Sequence, residues 1–331
     1  MLRRLLPLVL VALVAVPTAL ADGGTAPIAS NGVLTPNGKI RYLTLASGRS
    51  TTVNASRPNG VVVRWRDLRG HWAVPGVAFD GTAGGLSGDG RTLVLIRPRT
   101  ARLPTSSAFL FVRTSDFAPL QRVVLRGNFE FDALSPDGSR LYLIERVSQQ
   151  NLSRYVVRAY DLVRGRLLPG RIADRTQRGW VMAGYPVTRA TSAGGRWVYT
   201  LYARPGGTPF VHALDATRGV AHCIGIPWRG VYQNALWGMR LSVRDGGRTL
   251  SLRWRSGREY LAITRDTWRI SHPTAARADA AFPWWVIGVA TAGALLLLIA
   301  YGRARRRTDR SGSASANAPD APLKGGAGAA A

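Results

Sequence analysis

Residues 134–144 read LSPDGSRLYLI, a small polar turn (Ser135-Pro136-Asp137-Gly138) that runs straight into apolar positions alternating at Leu141 and Leu143. An Asp-Gly pair suits a tight turn because glycine accepts positive φ and the aspartate side chain bonds nearby backbone. The alternation that follows is that of a strand with a buried face. If the stretch recurs at a fixed interval, it is a unit of construction rather than one hairpin among many.

It does recur. Thr35-Pro36-Asn37-Gly38, Ser87-Gly88-Asp89-Gly90, Ser192-Ala193-Gly194-Gly195 and Arg244-Asp245-Gly246-Gly247 each precede a strand-like segment, and Gly38, Gly90, Gly138, Gly195 and Gly247 are separated by 52, 48, 57 and 52 residues. A second marker, Asp67, Asp116, Asp161, Asp215 and Asp266, is spaced by 49, 45, 54 and 51. Two interleaved markers with one period predict a unit of strand, Gly turn, strand, loop, strand, Asp turn and strand, which is a four-stranded antiparallel sheet.

Sheets of that size repeated at that interval are the blades of a β-propeller. The expected fold class is therefore all-β, a β-propeller of five four-stranded blades followed by one C-terminal transmembrane helix. There is room for a degenerate sixth blade if the loop after Leu168 or the segment Tyr232–Arg240 conceals strands. A β-sandwich is the competing architecture, and it does not explain the period.

Ser135-Pro136-Asp137-Gly138-Ser139-Arg140-Leu141-Tyr142 resembles the SPDG-x-x-L repeat of WD40-like propellers of the TolB kind. Tyr160-Asp161-Leu162-Val163-Arg164-Gly165 is similar to the D-x-x-x-G turn of bacterial YVTN and lactonase-type propellers. The resemblance spans most of residues 30–270 and implies an architecture, not an activity. Gly88, Ala193 and Gly194 depart from the pattern where proline and aspartate would stand.

The ends of the chain predict its location. Arg3 and Arg4, an apolar run from Leu5 to Val16 and a small-residue ending at Ala19-Leu20-Ala21 describe a signal peptide over 1–21. Residues 22–281 then form the extracytoplasmic propeller. The uncharged run Pro283–Tyr301 is long enough to span the hydrocarbon core, with Trp284 and Trp285 at one border and Tyr301 at the other. It places a transmembrane helix over 282–302. Arg303, Arg305, Arg306 and Arg307 put the following tail, 303–331, in the cytoplasm, and its Ser/Gly/Ala composition predicts disorder.

The chain of 331 residues carries 45 basic and 18 acidic side chains, a formal net charge of +27. Setting aside the leader and the tail leaves 37 basic and 16 acidic residues, a net of +21 outside the membrane. Such a surface attracts polyanions. The extracytoplasmic location argues against nucleic acid and toward a protein or an anionic cell-envelope polymer as partner, with the membrane held through the C-terminal helix. Nearly all the basic residues are arginine, which a GC-rich coding bias would also supply. The lone Cys223 rules out an intrachain disulfide and reads as a small buried side chain.

Candidate sites are few. The innermost strand of the third unit reads Phe129-Glu130-Phe131-Asp132-Ala133-Leu134, and alternation puts Glu130 and Asp132 on one face. Two carboxylates there could hold a divalent cation or act as acid and base, as a lactonase-type hydrolase or lyase would require; the other reading makes them hydrated channel lining or partners of nearby arginines. No cofactor is otherwise expected. His71, His212, His222 and His272 have no metal-ligand spacing, and neither H-E-x-x-H nor G-x-S-x-G occurs. Of the tryptophans, most read as blade packing, while Arg64-Trp65-Arg66 and Arg253-Trp254-Arg255 could grip an anionic glycan.

Overall fold

The turn of the opening stretch is built by its own side chains. In the computed structural model, which describes residues 28–99, 104–176, 182–228 and 233–272, the Ser135 N–H donates to Arg140 O and the Gly138 N–H to Ser135 O, both at 2.9 Å. The Ser135 hydroxyl donates to Asp137 Oδ1 at 2.5 Å and accepts the Arg140 N–H at 2.9 Å. That hydroxyl bond, followed by those from Ser139, holds the Asp137 carboxyl below its ordinary pKa. Thr35 with Asn37 and Ser87 with Asp89 close the same ring of bonds. In the fourth unit Ser192 keeps the bond from the Trp197 N–H, although Gly194 offers no carboxylate.

These turns join the first two strands of successive antiparallel sheets. Sheet one contains β1 (Val33–Leu34), β2 (Arg41–Ser47), β3 (Ser50–Ser56) and β4 (Val62–Arg69). Sheet two contains β5 (Thr92–Ile96), β6 (Ser106–Arg113) and β7 (Pro119–Arg126), and its innermost position is filled by a short bridge, Leu86 to Leu93. Sheet three runs β8 (Phe129–Leu134), β9 (Arg140–Arg146), β10 (Tyr155–Asp161) and β11 (Arg166–Leu167). Sheet four runs β12 (Tyr185–Thr191), β13 (Trp197–Ala203), β14 (Phe210–Asp215) and β15 (Val220–Gly225), and sheet five runs β16 (Met239–Arg244), β17 (Thr249–Trp254), β18 (Glu259–Thr264) and β19 (Arg269–Ser271).

Each sheet is a simple meander, and consecutive sheets stack through shared apolar clusters. Tyr42, Val53 and Leu68 meet Leu93, Leu95 and Phe117 between sheets one and two. Phe109 and Phe111 meet Phe129, Phe131 and Leu143 between two and three. Tyr199, Leu201 and Val211 meet Leu241, Leu252 and Leu261 between four and five. Near the axis, the segment between sheets one and two reaches across: the Phe79 and Asp80 N–H groups donate to Pro186 O and Val187 O on β12. An all-β chain of five meander sheets stacked in sequence is consistent with a propeller.

No sixth sheet is present among the described residues. The loop after Leu168 contributes isolated bridges at Ile172 and Asp174, and Gln233–Gly238 forms a short 3-10 turn. The expected leader, the apolar run 283–301 and the tail lie outside the described residues, within which no helix is long and apolar enough to cross a membrane.

The second marker is corrected in three units. Gly219 donates its N–H to Asp215 O, and the same backbone bond is made by Phe117 to Arg113 O and by Trp268 to Thr264 O. Arg113 and Thr264 therefore hold the place expected for Asp116 and Asp266. Phe117 and Trp268 both adopt φ +55, beside +70 for Gly219. A left-handed phenylalanine costs on the order of 1–2 kcal/mol. Full burial of the Phe117 ring, edge-on to Tyr42 with centroids 5.9 Å apart, offsets it by a similar amount. In the first unit Asp67 lies within β4 and accepts the Thr52 hydroxyl, while the turn between β3 and β4 is Arg57–Val61.

The departure at Gly88 has a steric cause. A Cβ there would lie 2.4 Å from Gly194 O, so the turns of sheets two and four touch backbone to backbone. Restoring the proline of the repeat with Gly88→Pro should destabilise the protein by about 1–3 kcal/mol, seen as a lowered urea midpoint. An unchanged midpoint would mean that the two turns are not in contact.

Candidate functional site

Glu130 and Asp132 share β8 but not a site. The register of β8 against β9 slips between Phe131 and Ala133, which leaves Asp132 as the extra residue of a bulge. A bulge breaks simple alternation and re-aims the side chain it carries. Glu130 lines a cavity beside sheet two, and Asp132 lines another at the end of the inner strands that carries the Ser-x-Asp-Gly turns.

Each carboxylate is taken by arginine. Glu130 accepts Nε and Nη2 of Arg146 at 2.8 and 2.9 Å, and Nη2 of Arg99 at 2.7 Å. Burial works against the Arg146 charge, but Glu130 outweighs it and raises the guanidinium pKa. Asp132 is ion-paired to Arg189 on β12, which also donates to Asp132 O and, at 2.9 Å, to Thr200 Oγ1. Both members of that pair are buried, with side chains 3% and 6% exposed. Asp132 Oδ2 is left without a hydrogen-bond partner. The arrangement is an electrostatic clamp between sheets three and four. No group of three or more His, Cys, Asp or Glu side chains converges as a metal site would among the described residues.

Around this clamp lies a second buried polar group. His212 Nδ1 is 3.5 Å from Cys223 Sγ, and Asp174 Oδ2 accepts the Cys223 N–H at 2.9 Å. Burial lowers the His212 pKa to about 4 and pushes the Cys223 thiol up to about 12. At neutral pH this is a neutral imidazole beside a protonated thiol, which is packing rather than an activated nucleophile. His222 is half-buried against Trp268, and His71 and His272 are exposed.

The cavity that Asp132 lines, about 430 Å³, is walled by residues of sheets one to four, among them Leu34, Gly85, Leu134 and Ser192, with Arg189 inside. Its lining includes turn residues of sheets one, two and four, Pro36, Ser87 and Gly88, and Ser192–Gly195. It presents glycine and serine turn residues beside apolar side chains such as Leu86 and Phe131, and its ionised groups, Asp132 and Arg189, neutralise each other.

The two Arg-Trp-Arg triplets have different fates. Trp254 packs into a cluster with Trp228 and Tyr260, ring centroids 5.8 and 5.4 Å away. Trp65, on the outermost strand β4, is 64% exposed. Alternation sends its neighbours the other way: Arg64 donates to Thr114 O at 3.0 Å and Arg66 to Asp116 O at 3.2 Å, both on sheet two. Trp65 stands in register with Asn54 and Leu43 on the face turned from sheet two. Beside it Leu45, Val61, Val62 and Val63 are 59%, 49%, 51% and 42% exposed. Trp72 and Trp197 are buried, Trp237 is partly exposed against Phe79, and Trp180 lies outside the described residues. In the sequence only Arg64-Trp65-Arg66 stood out here; the apolar run Val61-Val62-Val63, in a strand otherwise rich in arginine, is the signal that would have marked this face.

No family model matches the chain, and no curated protein matches it. Among solved structures it is similar to hydrazine synthase from Kuenenia stuttgartiensis, at 14% identity and a TM-score of 0.42, over 73% of this chain and 70% of that one. It is similar also to TolB from Acinetobacter baumannii, at 13% identity and a TM-score of 0.41, over 70% of this chain and 51% of that one. The β-propeller domain of Cps50 from Myceliophteria thermophila gives 13% identity and a TM-score of 0.41, over 77% and 68%. The match thus spans about half the length of the Acinetobacter baumannii protein. Likenesses of this strength say nothing about activity, and the propeller reading rests on the sheets themselves.

Proposed function

We propose that the chain is a surface-displayed, membrane-anchored β-propeller that works as a binding module for an acidic protein or an anionic polymer of the cell envelope, with no reaction of its own. The observation that carries this reading is the exposed part of sheet one, where Val61–Val63 and Trp65 on β4 and Leu45 on β2 are exposed, with Arg49, Arg57, Arg69 and the carboxylate of Asp67 also exposed on that sheet. Contiguous apolar surface of that kind, rimmed by polar residues, marks interaction sites. Tryptophan and arginine are the residue types that dominate binding hot spots. The leader 1–21 and the apolar run 283–301 support the extracytoplasmic, anchored placement. A lactonase-type hydrolase gains no support from Glu130 and Asp132, since arginines occupy both.

Binding of the purified protein to polyglutamate, used as a model polyanion, should weaken steeply with salt. Trp65→Ala should lower the affinity by about thirtyfold, an effect of about 2 kcal/mol for a hot-spot aromatic. Equal binding by the parent and Trp65→Ala proteins would remove sheet one as the binding face. The anchor is tested separately: the full chain should stay in the pellet after alkaline carbonate extraction of membranes, and truncation after Ala281 should release it.

A further inference from the structure

At the end of the inner strands opposite the repeated turns, a cavity of about 350 Å³ opens between sheets two and three. Its walls are apolar, formed by Ile28, Ile96, Pro98, Phe109, Phe129 and Phe131. Arg97, Arg99 and Glu130 also line it, Arg97 exposed and the other two half-buried. A concave, mainly apolar space of this size with a few charged groups is the usual form of a small-molecule site.

The charge around Glu130 does not balance. One carboxylate, Glu130, faces two guanidiniums, Arg99 and Arg146, so the cluster carries one excess positive charge. Every nitrogen of Arg146 is engaged: its Nε and Nη2 go to Glu130 and its Nη1 donates to Leu152 O at 2.6 Å. Arg99 uses Nη2 alone, on Glu130 and on Asn128 Oδ1 at 2.6 Å. Its Nη1 and Nε have no partner among the described residues, although the side chain is 24% exposed. Burial draws the Arg99 guanidinium below its ordinary pKa while Glu130 opposes that effect, as befits a cation only partly compensated.

We propose that this cavity binds a compact amphipathic monocarboxylate, an aryl- or medium-chain alkyl-carboxylic acid. Its carboxylate pairs with the free donors of Arg99 and its apolar body lies against the phenylalanines. The planar guanidinium fork matches a carboxylate. The excess positive charge of the Glu130 cluster, with Arg97 also lining the cavity, favours an anion, and an uncharged analogue would leave the half-buried Arg99 sharing Glu130 with Arg146. This site is separate from the face of sheet one and does not depend on it.

Calorimetric titration of the full-length protein in lipid nanodiscs with 3-phenylpropanoate, and in parallel with the neutral 3-phenylpropanamide, tests the assignment. The acid should bind saturably at one site and the amide at least tenfold more weakly. Arg99→Gln should lower affinity for the acid at least tenfold, and Trp65→Ala should leave it unchanged. Equal binding of acid and amide, no saturable heat from the acid, or full affinity in a folded Arg99→Gln protein would each overturn the proposal. The comparison of acid and amide needs no variant, so it decides the matter even if Arg99→Gln fails to fold. Loss of acid binding in Trp65→Ala would assign the acid to sheet one instead.

Discussion

Asp132→Asn should lower the free energy of unfolding by about 3–5 kcal/mol, because it leaves the Arg189 guanidinium buried with no counter-charge. Arg189 is 6% exposed, and the paired carboxylate supplies its one negative partner among the described residues. The buried pair itself need not be a net source of stability, since desolvation of both ions offsets their attraction. The double variant Asp132→Leu, Arg189→Met should therefore recover most of what the single one loses. Urea unfolding of the three proteins distinguishes the outcomes. A single-variant loss under about 1 kcal/mol would mean that water reaches the clamp and screens it.

Acidification should weaken the fold through His212. Its imidazole is fully buried, its Nε2 has no hydrogen-bond partner, and burial holds its pKa at about 4 against an ordinary 6.5. Asp132 and Asp174 pull that value upward and Arg189 pulls it downward, but burial dominates. Between the two values the unfolded chain binds the proton and the folded chain does not. Stability is therefore present above pH 6.5 and is lost as pH falls toward 4. At about 1.4 kcal/mol per pKa unit the loss amounts to about 3 kcal/mol by pH 4. The turn carboxylates Asp89 and Asp137, whose pKa values are lowered, act in the same direction at lower pH. The contribution of His212 is isolated by difference: His212→Phe should lose about 3 kcal/mol less than the parent between pH 7 and pH 4. Parallel losses would show that the imidazole is hydrated.

Five sheets at one period were legible in the chain because each turn is a local object. Ser135, Asp137 and Gly138 close their ring of bonds within six residues, and no distant partner is needed. The second marker was less secure for the same reason reversed. The backbone bond that defines that turn is indifferent to the side chain at its start, so Arg113 and Thr264 serve as well as Asp215. Aspartates a few residues away merely resembled the signal.

What depends on one residue alone, or on its neighbours in sequence, was settled by the sequence: the period, the turn chemistry, the four-strand unit and the basic, arginine-rich character of the surface. Contacts across the axis were settled only by the tertiary structure. Asp132 meets Arg189 from 57 residues away because a bulge turns it aside. Gly88 is glycine because the backbone of Gly194 lies against it. Trp65 and Trp254 sit in identical Arg-Trp-Arg triplets, yet only the packing of neighbouring strands partly buries one and leaves the other in solvent. A strand carries its alternation in its own residues, but the group that each face meets is supplied by a different sheet, and nothing local encodes which.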